Sequence, residues 1–375
     1  MLCLYRWKTE FDMTDPCSQE PCMLVVYRDR VKSQTGLLNQ QARAVNFVWN
    51  YCNERHKDAL GFGRRWHTGF DLIKLTTGSS KELGLHSGTV SDVCQPYAKS
   101  RSQKKRPYLR WRSKQKSLGW VPLKGRNLKE MPKGFDFHDR EFRVFKSRDL
   151  PAGAEIKDGT SFSQDRLGNG FLNVCVEVEA SVARSPVRGV GVDLGLKDFA
   201  TLSTGEKIDA QRLYRGAEQA LAVAQRAGKK RRVKSIHARM ANRRNDFQHQ
   251  LAHRLVQEFD SIAVGNVWAA KLAKTSMAKS VLDAGGSSFR NKLAYKAVRH
   301  GAWFEEVSEN SSTQTCSDCG WVGGPKGLEG LAIRPWTCWG CESLHDRDVN
   351  AARNILSKFR AGCGHAAPAE GIPAF

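Results

Sequence analysis

The amino-acid sequence predicts an α/β protein of several domains, with a small four-cysteine metal ribbon set into the last of them. Three observations carry that prediction. Two Cys-x-x-Cys pairs, Cys316/Cys319 and Cys338/Cys341, are separated by eighteen residues. The first half reads mainly as strand around one helical block, whereas the second half alternates strands with long helices. The chain of 375 residues carries 60 Lys+Arg against 38 Asp+Glu, a formal net charge of +22. That length accommodates two or three domains. The charge calls for a polyanionic partner, nucleic acid first and an anionic membrane surface second. No apolar run approaches the eighteen residues of a spanning helix, and the N-terminus lacks the apolar core of a signal peptide.

Residues 1–22 are polar and irregular and read as a tail. Met23–Arg28 is the first strand-like run, rich in β-branched and aromatic residues. From Gln34 the pattern turns helical, with Leu37, Leu38, Ala42, Val45, Phe47, Val48 and Tyr51 at helical spacing. Shorter helical pieces follow over 69–98, broken at Gly78 and Gly84. A basic run comes next. Between Lys99 and Lys116 there are nine Lys/Arg and no acid, with Tyr108 and Trp111 interleaved. Lys104, Lys105, Arg106, Arg110 and Arg112 suit phosphate neutralisation and Trp111 suits base stacking; a solvated basic loop is the plainer alternative. From Trp120 to Ala183 strands dominate, clearest at Phe142–Phe145 and Phe171–Val178, with a Gly168-Asn169-Gly170 turn before the second. With the Met23 strand they predict a small β-barrel over 23–33 and 101–186, interrupted by a helical insert over 34–100.

A new domain opens at Val187. Gly189–Leu194 reads as a strand with Asp193 in an apolar setting, followed by an antiparallel strand from Phe199 to Ser203. A carboxylate buried there needs a cation, a hydrogen-bond network or a metal. Residues 209–259 read as long helices. Nine Lys/Arg and no acid lie between Arg226 and Arg244, including Lys229, Lys230, Arg231 and Arg232. Phe247, Leu251, Leu255 and Phe259 form an amphipathic stripe. Strands follow at Ser261–Val267 and Ala302–Val307, with a flexible segment over Ala278–Ser288 and a helix from about Phe289 to His300 between them. The ribbon spans 316–343, and its four thiols match tetrahedral zinc. A disulfide-linked pair of hairpins is the alternative, but eleven cysteines in a chain with no secretory mark point to a reducing compartment. After the ribbon a helix opens near Asp348. Its plain reading is a helix cap. Residues 360–375 read as a tail.

These pieces resemble the TnpB family of transposon-encoded, RNA-guided DNA endonucleases, and are similar to the smallest type V CRISPR effectors and to Fanzor proteins. The resemblance rests on Gly191-Val192-Asp193-Leu194-Gly195, on Thr313–Gly320, on the second cysteine pair and on Asp346–Ile355. It implies an RNase H-like RuvC nuclease domain over 187–315 and 344–359, with the zinc ribbon inserted. It also implies an N-terminal wedge barrel with a recognition insert. The implied ligands are two Mg²⁺ ions held by three carboxylates, a structural Zn²⁺ and a guide RNA from the end of the mobile element. The implied partner is target double-stranded DNA, in the bacterial cytoplasm and away from membranes. Asp193 matches the family's first acid and Asp348 its third. The second acid is normally a Glu on the strand that here ends Val264-Gly265-Asn266, and Gly265 has no side chain. The resemblance then leaves a relocated acid, Glu309, seven residues before Cys316, or a nuclease-dead protein that only binds. An unguided zinc-ribbon nucleic-acid binder is the third reading.

Overall fold

The computed structural model describes residues 22–106, 108–113, 120–146, 148–179, 184–266, 278–326, 330 and 332–362. Residues 1–21 of the expected N-terminal tail, the expected C-terminal tail beyond 362, Lys114 and Lys116 lie outside the described residues. The chain divides into two compact units, Met1–Glu179 and Ala180–Phe375.

In the first unit, β1 (Cys22–Val31) is followed by α1 (Thr35–Gly61), α2 (Gly69–Leu75), α3 (Ser79–Leu83) and α4 (Ser87–Gln103). Gly78 and Gly84, the sequence breaks, bracket α3 in left-handed conformation, at φ 86° and 60°. No Cβ penalty applies to glycine there. Strands β2 (Trp120–Pro122), β3 (Leu128–Met131), β4 (Gly134–Phe137), β5 (Glu141–Phe145), β6 (Ser161–Gln164) and β7 (Gly170–Glu179) join β1 in an antiparallel sheet of order β2-β6-β7-β1-β5-β4-β3. Among the described residues β2 and β3 are its edges, so the expectation of a barrel is met as far as a seven-stranded sheet. Val45, Val48 and Cys52 of α1 and Val90, Val93, Cys94 and Tyr97 of α4 share one apolar core with the sheet.

The second unit is built on a five-stranded sheet of order β10-β9-β8-β11-β12. Its strands are β8 (Gly189–Leu194), β9 (Asp198–Leu202), β10 (Lys207–Asp209), β11 (Ser261–Gly265) and β12 (Trp303–Val307). β8, β11 and β12 are parallel, while β9 and β10 run antiparallel. Parallel neighbours need helical crossovers. α5 (Leu213–Arg226) and α6 (Lys230–Glu258) join β10 to β11; α7 (Ala278–Ala284) and α8 (Gly286–His300) precede β12. Leu251 and Leu255 of α6 and Phe289, Leu293 and Ala297 of α8 cover one face with Val190, Val192, Ile262 and Val264. The other face packs on α9 (Arg347–Gly362) through Ala263, Val307, Ile355 and Phe359.

The Ala278–Ser288 segment, expected to be flexible, is instead helical on both sides of one joint. Gly285 takes φ 65° between α7 and α8. Asp283, 8% exposed, accepts from Arg244 Nη2 at 2.9 Å and from the Tyr214 amide at 2.9 Å. Long-range ties of this kind leave no mark in local composition. Likewise, residues 360–362, expected in the tail, form the last turn of α9.

Candidate metal centres

The ribbon gathers its four thiols. Cys316 Sγ lies 3.7 Å from Cys341 Sγ and Cys319 Sγ 3.6 Å from Cys338 Sγ, all four within 4.8 Å of one another. A tetrahedron with Zn–S near 2.3 Å has edges of about 3.8 Å, whereas a disulfide needs about 2.05 Å. The spacing therefore fits one zinc ion and not two disulfides. The second knuckle is carried by the hairpin of β13 (Pro335–Thr337) and β14 (Leu344–Asp346). His345, buried against Trp336, brings Nε2 to 3.1 Å from Cys316 Sγ. An imidazole N–H placed there steadies a thiolate ligand.

The carboxylates lie on the α9 face of the sheet. Side chains alternate faces along a strand, so Gly189, Gly191 and Asp193 of β8 share that face. A Cβ at Gly191 would collide with the Ala352 carbonyl, and one at Gly189 would lie 3.2 Å from Leu356 Cδ1 and 3.7 Å from Arg360 Nη2. Positions 348, 352, 356 and 360 form one i, i+4 stripe of α9. The two glycines let that stripe settle onto the strand backbone, which carries Asp348 in the first turn towards Asp193. Asp348 is not the cap of its helix. Asp346 Oδ1 accepts from the amides of Asp348 and Val349, each at 3.1 Å, and takes that role. Asp348 itself is buried, bonded by Arg334 Nη1 and by Arg347 Nε at 3.2 Å.

Glu309 stands where the missing side chain of Gly265 would be. An ideal Cβ built on Gly265 overlaps the Glu309 carboxylate. Gly265 pairs with Val307, which packs on α9, so the vacancy opens on the same face as Asp193. Glu309 Oε1 is buried without a hydrogen-bond partner. Burial, then the charge of Asp193, pushes Glu309 up to about 8; burial, then the charge of Asp348, pushes Asp193 up to about 7. Asp193 is thus the common neighbour of the other two acids. The strand glutamates diverge: Glu305 pairs with Ala263 on the α9 face, while Glu306 meets Arg290 of α8 at 3.1 Å. Among the described residues only the four cysteines bring three ligand atoms within 4.8 Å. The three acids are therefore spread wider than a cage for one ion. Mutually repelling, partly buried carboxylates and an orphan oxygen nonetheless fit hard divalent cations, which take oxygen ligands.

The basic residues separate into two kinds. Lys104, Lys105, Arg106, Arg110 and Trp111 are exposed, as are Lys229, Lys230, Arg231 and Arg232 at the start of α6. Arg112 is packed. Its guanidinium lies 3.8 Å from the centroid of Trp49 and 5.2 Å from that of Trp120, and burial pushes its pKa down to about 10. Asn50 pins it further, bonding the Arg112 amide and carbonyl at 2.8 Å each. Sequence reasoning missed Asp346, Arg334 and Arg347. Only Asp346, an acid just before an Asp-Val-Asn helix start, had a local signal.

Residues 173–276 match the family described as "Probable transposase" (OrfB_IS605), and residues 287–355 match "Cas12f1-like, TNB domain". A "Putative RNA-guided DNA endonuclease" of Streptomyces pristinaespiralis is 37% identical over 246 residues, 60% of this chain and 58% of that protein. The chain thus matches less than two thirds of that relative's length. "Putative RNA-guided DNA endonuclease InsQ" of Escherichia coli (strain K12) is 24% identical over 72% of this chain and 76% of its own. Among solved structures, a Cas12f1-sgRNA-target DNA complex covers 89% of this chain and 99% of that chain at 14% identity and a TM-score of 0.38.

Proposed function

We propose that this chain, which belongs to the TnpB family, is an RNA-guided, divalent-metal-dependent DNA endonuclease of a mobile element. Asp193, Glu309 and Asp348 would hold its two Mg²⁺ ions. The five-stranded sheet with α9 is read as an RNase H-like RuvC domain, and the seven-stranded sheet as the wedge of the family. One observation carries the reading: the Glu309 carboxylate occupies the side-chain space of Gly265, beside Asp193. The acid missing from β11 is replaced in space by one that enters from the loop after β12.

Divalent cations held by Asp193, Glu309 and Asp348 would supply an activated water and a stabilised leaving oxygen for in-line displacement. The chain does the rest. Asp193, on a strand in the middle of the sheet, is the fixed acid. Asp348 is turned towards it by the helix that the two glycines admit. Arg334 and Arg347 orient the Asp348 carboxylate. Sequence would be read by pairing between guide RNA and target strand, the protein gripping backbone shape and a short adjacent duplex motif. Lys104, Lys105, Arg106 and Arg110 on one unit and Lys229, Lys230, Arg231 and Arg232 on the other would neutralise phosphates, and Trp111 would stack on a base.

The protein purified with its co-expressed RNA should cut matched double-stranded DNA in Mg²⁺ or Mn²⁺ and stop in chelator. Asp193→Ala should abolish cutting and spare RNA and target binding. A wild type that binds target and never cuts would replace this reading with a nuclease-dead binder.

A further inference from the structure

The helix that presents Asp348 also grips the loop that presents Glu309. Lys358 Nζ donates to the carbonyl of Ser308 at 3.1 Å and to that of Asn310 at 2.5 Å, the residues on either side of Glu309. One turn earlier, Asn354 Nδ2 donates to the carbonyls of Ser312 at 2.8 Å and Thr315 at 2.6 Å. Another turn earlier, Asn350 Nδ2 donates to the same two carbonyls, and its Oδ1 accepts from the Ser317 amide at 2.8 Å. Positions 350, 354 and 358 form one i, i+4 stripe. It runs beside the stripe of Ala352 and Leu356 that rests on β8. The chain from Ser308 to Ser317, from the second acid to the first zinc knuckle, is thereby tied to a single helix.

We propose that Lys358 is a positioning residue for metal binding: by bridging the carbonyls that flank Glu309, it holds that carboxylate in the space left by Gly265. Glu309 lies beyond the end of β12, so no strand pairing fixes it. Ser311, two residues on, takes φ 61°, and the Ser312 amide bonds back to the Glu309 carbonyl at 3.0 Å, which makes a tight turn. Such a turn sets its own shape but not its placement against the sheet. The Lys358 bridge supplies that placement. Asn354 and Asn350 continue it to the ribbon. Zinc binding then bears on the carboxylate site through backbone carbonyls, with no direct contact between the two sites.

A bystander cation and a positioning cation predict opposite signs. A positive charge near Glu309 repels a divalent ion, so removing a bystander tightens metal binding. Removing a clamp frees Glu309 and weakens it. The inference rests on Glu309 as a metal ligand, and the two are separable. Mn²⁺ binding is measured by titration on the zinc-loaded, RNA-bound full chain in wild type, Glu309→Gln, Lys358→Met and Lys358→Arg. Zinc content and RNA affinity serve as folding controls, and Lys358→Gln takes over if the methionine variant fails them. Lys358→Met should weaken Mn²⁺ binding about tenfold and raise by a similar factor the Mg²⁺ needed for half-maximal cutting, with saturating Mg²⁺ returning most of the rate. Lys358→Arg should recover to within a few-fold. Unchanged or tighter Mn²⁺ binding in Lys358→Met, with Glu309→Gln impaired, overturns this inference alone. Unchanged binding in Glu309→Gln overturns the ligand role on which it rests.

Discussion

If Glu309 occupies the side-chain volume of Gly265, then a methyl group at 265 cannot coexist with it. Gly265→Ala places a Cβ inside the Glu309 carboxylate. Overpacking a fitted site typically costs 1–3 kcal/mol. Glu309 is a side chain with some freedom to yield, so the lower half of that range applies, about 1–2 kcal/mol. For a unit of this size that is a fall in Tm of roughly 2–8 °C. With Glu309→Gly in the background the clash is gone. Alanine then replaces glycine inside a strand, which is neutral or stabilising by about 0.5 kcal/mol. The coupling between the two positions should therefore be about 1–2.5 kcal/mol, within what contacting residues show. Calorimetric melting of zinc-loaded wild type, both single variants and the double variant measures it. Gly265→Ala should also cut DNA poorly, because the acid has been displaced. The double variant Gly265→Glu with Glu309→Gly, which returns the carboxylate to the strand, should recover part of the cutting. Additive stabilities, with Gly265→Ala equally harmful in both backgrounds, would refute the shared volume.

Other expectations follow from the same geometry. Asp193 and Glu309 are raised to about 7 and about 8, so the metal-free fold binds protons more tightly than the unfolded chain. Their contribution to stability is complete below about pH 4 and is lost as pH rises through 7 to 8. Discounted for partial exposure, the loss attributable to Asp193 is about 2 kcal/mol. Asp193→Asn should melt above wild type at pH 8.5 and not at pH 4, and Mg²⁺ should close the gap; identical pH profiles would contradict this. Cys338→Ser should lose the zinc and, with it, cutting, because the knuckle and the Glu309 loop are tied to one helix; retained zinc by metal analysis would argue against the four-thiol site. Arg110→Ala should weaken RNA binding and flatten its salt dependence by about one unit of slope. Arg112→Ala should instead lower the melting temperature, since its guanidinium is spent between Trp49 and Trp120. A flattened salt slope from Arg112→Ala alone would reverse that assignment.

What the sequence displays is what repeats locally. Gly189–Leu194, read from its alternation, is β8, and the breaks at Gly78 and Gly84 bracket α3. The ribbon could be read because thiols at Cys-x-x-Cys spacing have few other uses. Asp348 was ambiguous, because an acid near a helix start reads equally well as a cap; only the bond from Asp346 to the helix amides frees it from that role. Glu309 could not be found from its surroundings at all. A loop acid beside a glycine forty-four positions away carries no pattern, and resemblance alone brought it forward. The packing of Arg112 and the order of the Ala278–Ser288 segment were hidden for a related reason. A guanidinium among basic neighbours looks solvated until two tryptophans close on it, and a Gly-Ser stretch looks loose until Asp283 is bonded from α6 and α5.

The central claim is that Glu309 has taken over the function of the absent side chain at Gly265. Glu309→Gln keeps the size of the side chain and removes its charge. In a cleavage assay with RNA-loaded protein and matched double-stranded DNA, in Mg²⁺ and in Mn²⁺, the variant should bind RNA and target as wild type does and fail to cut, while Glu305→Gln cuts normally. Normal cutting by Glu309→Gln would contradict the account.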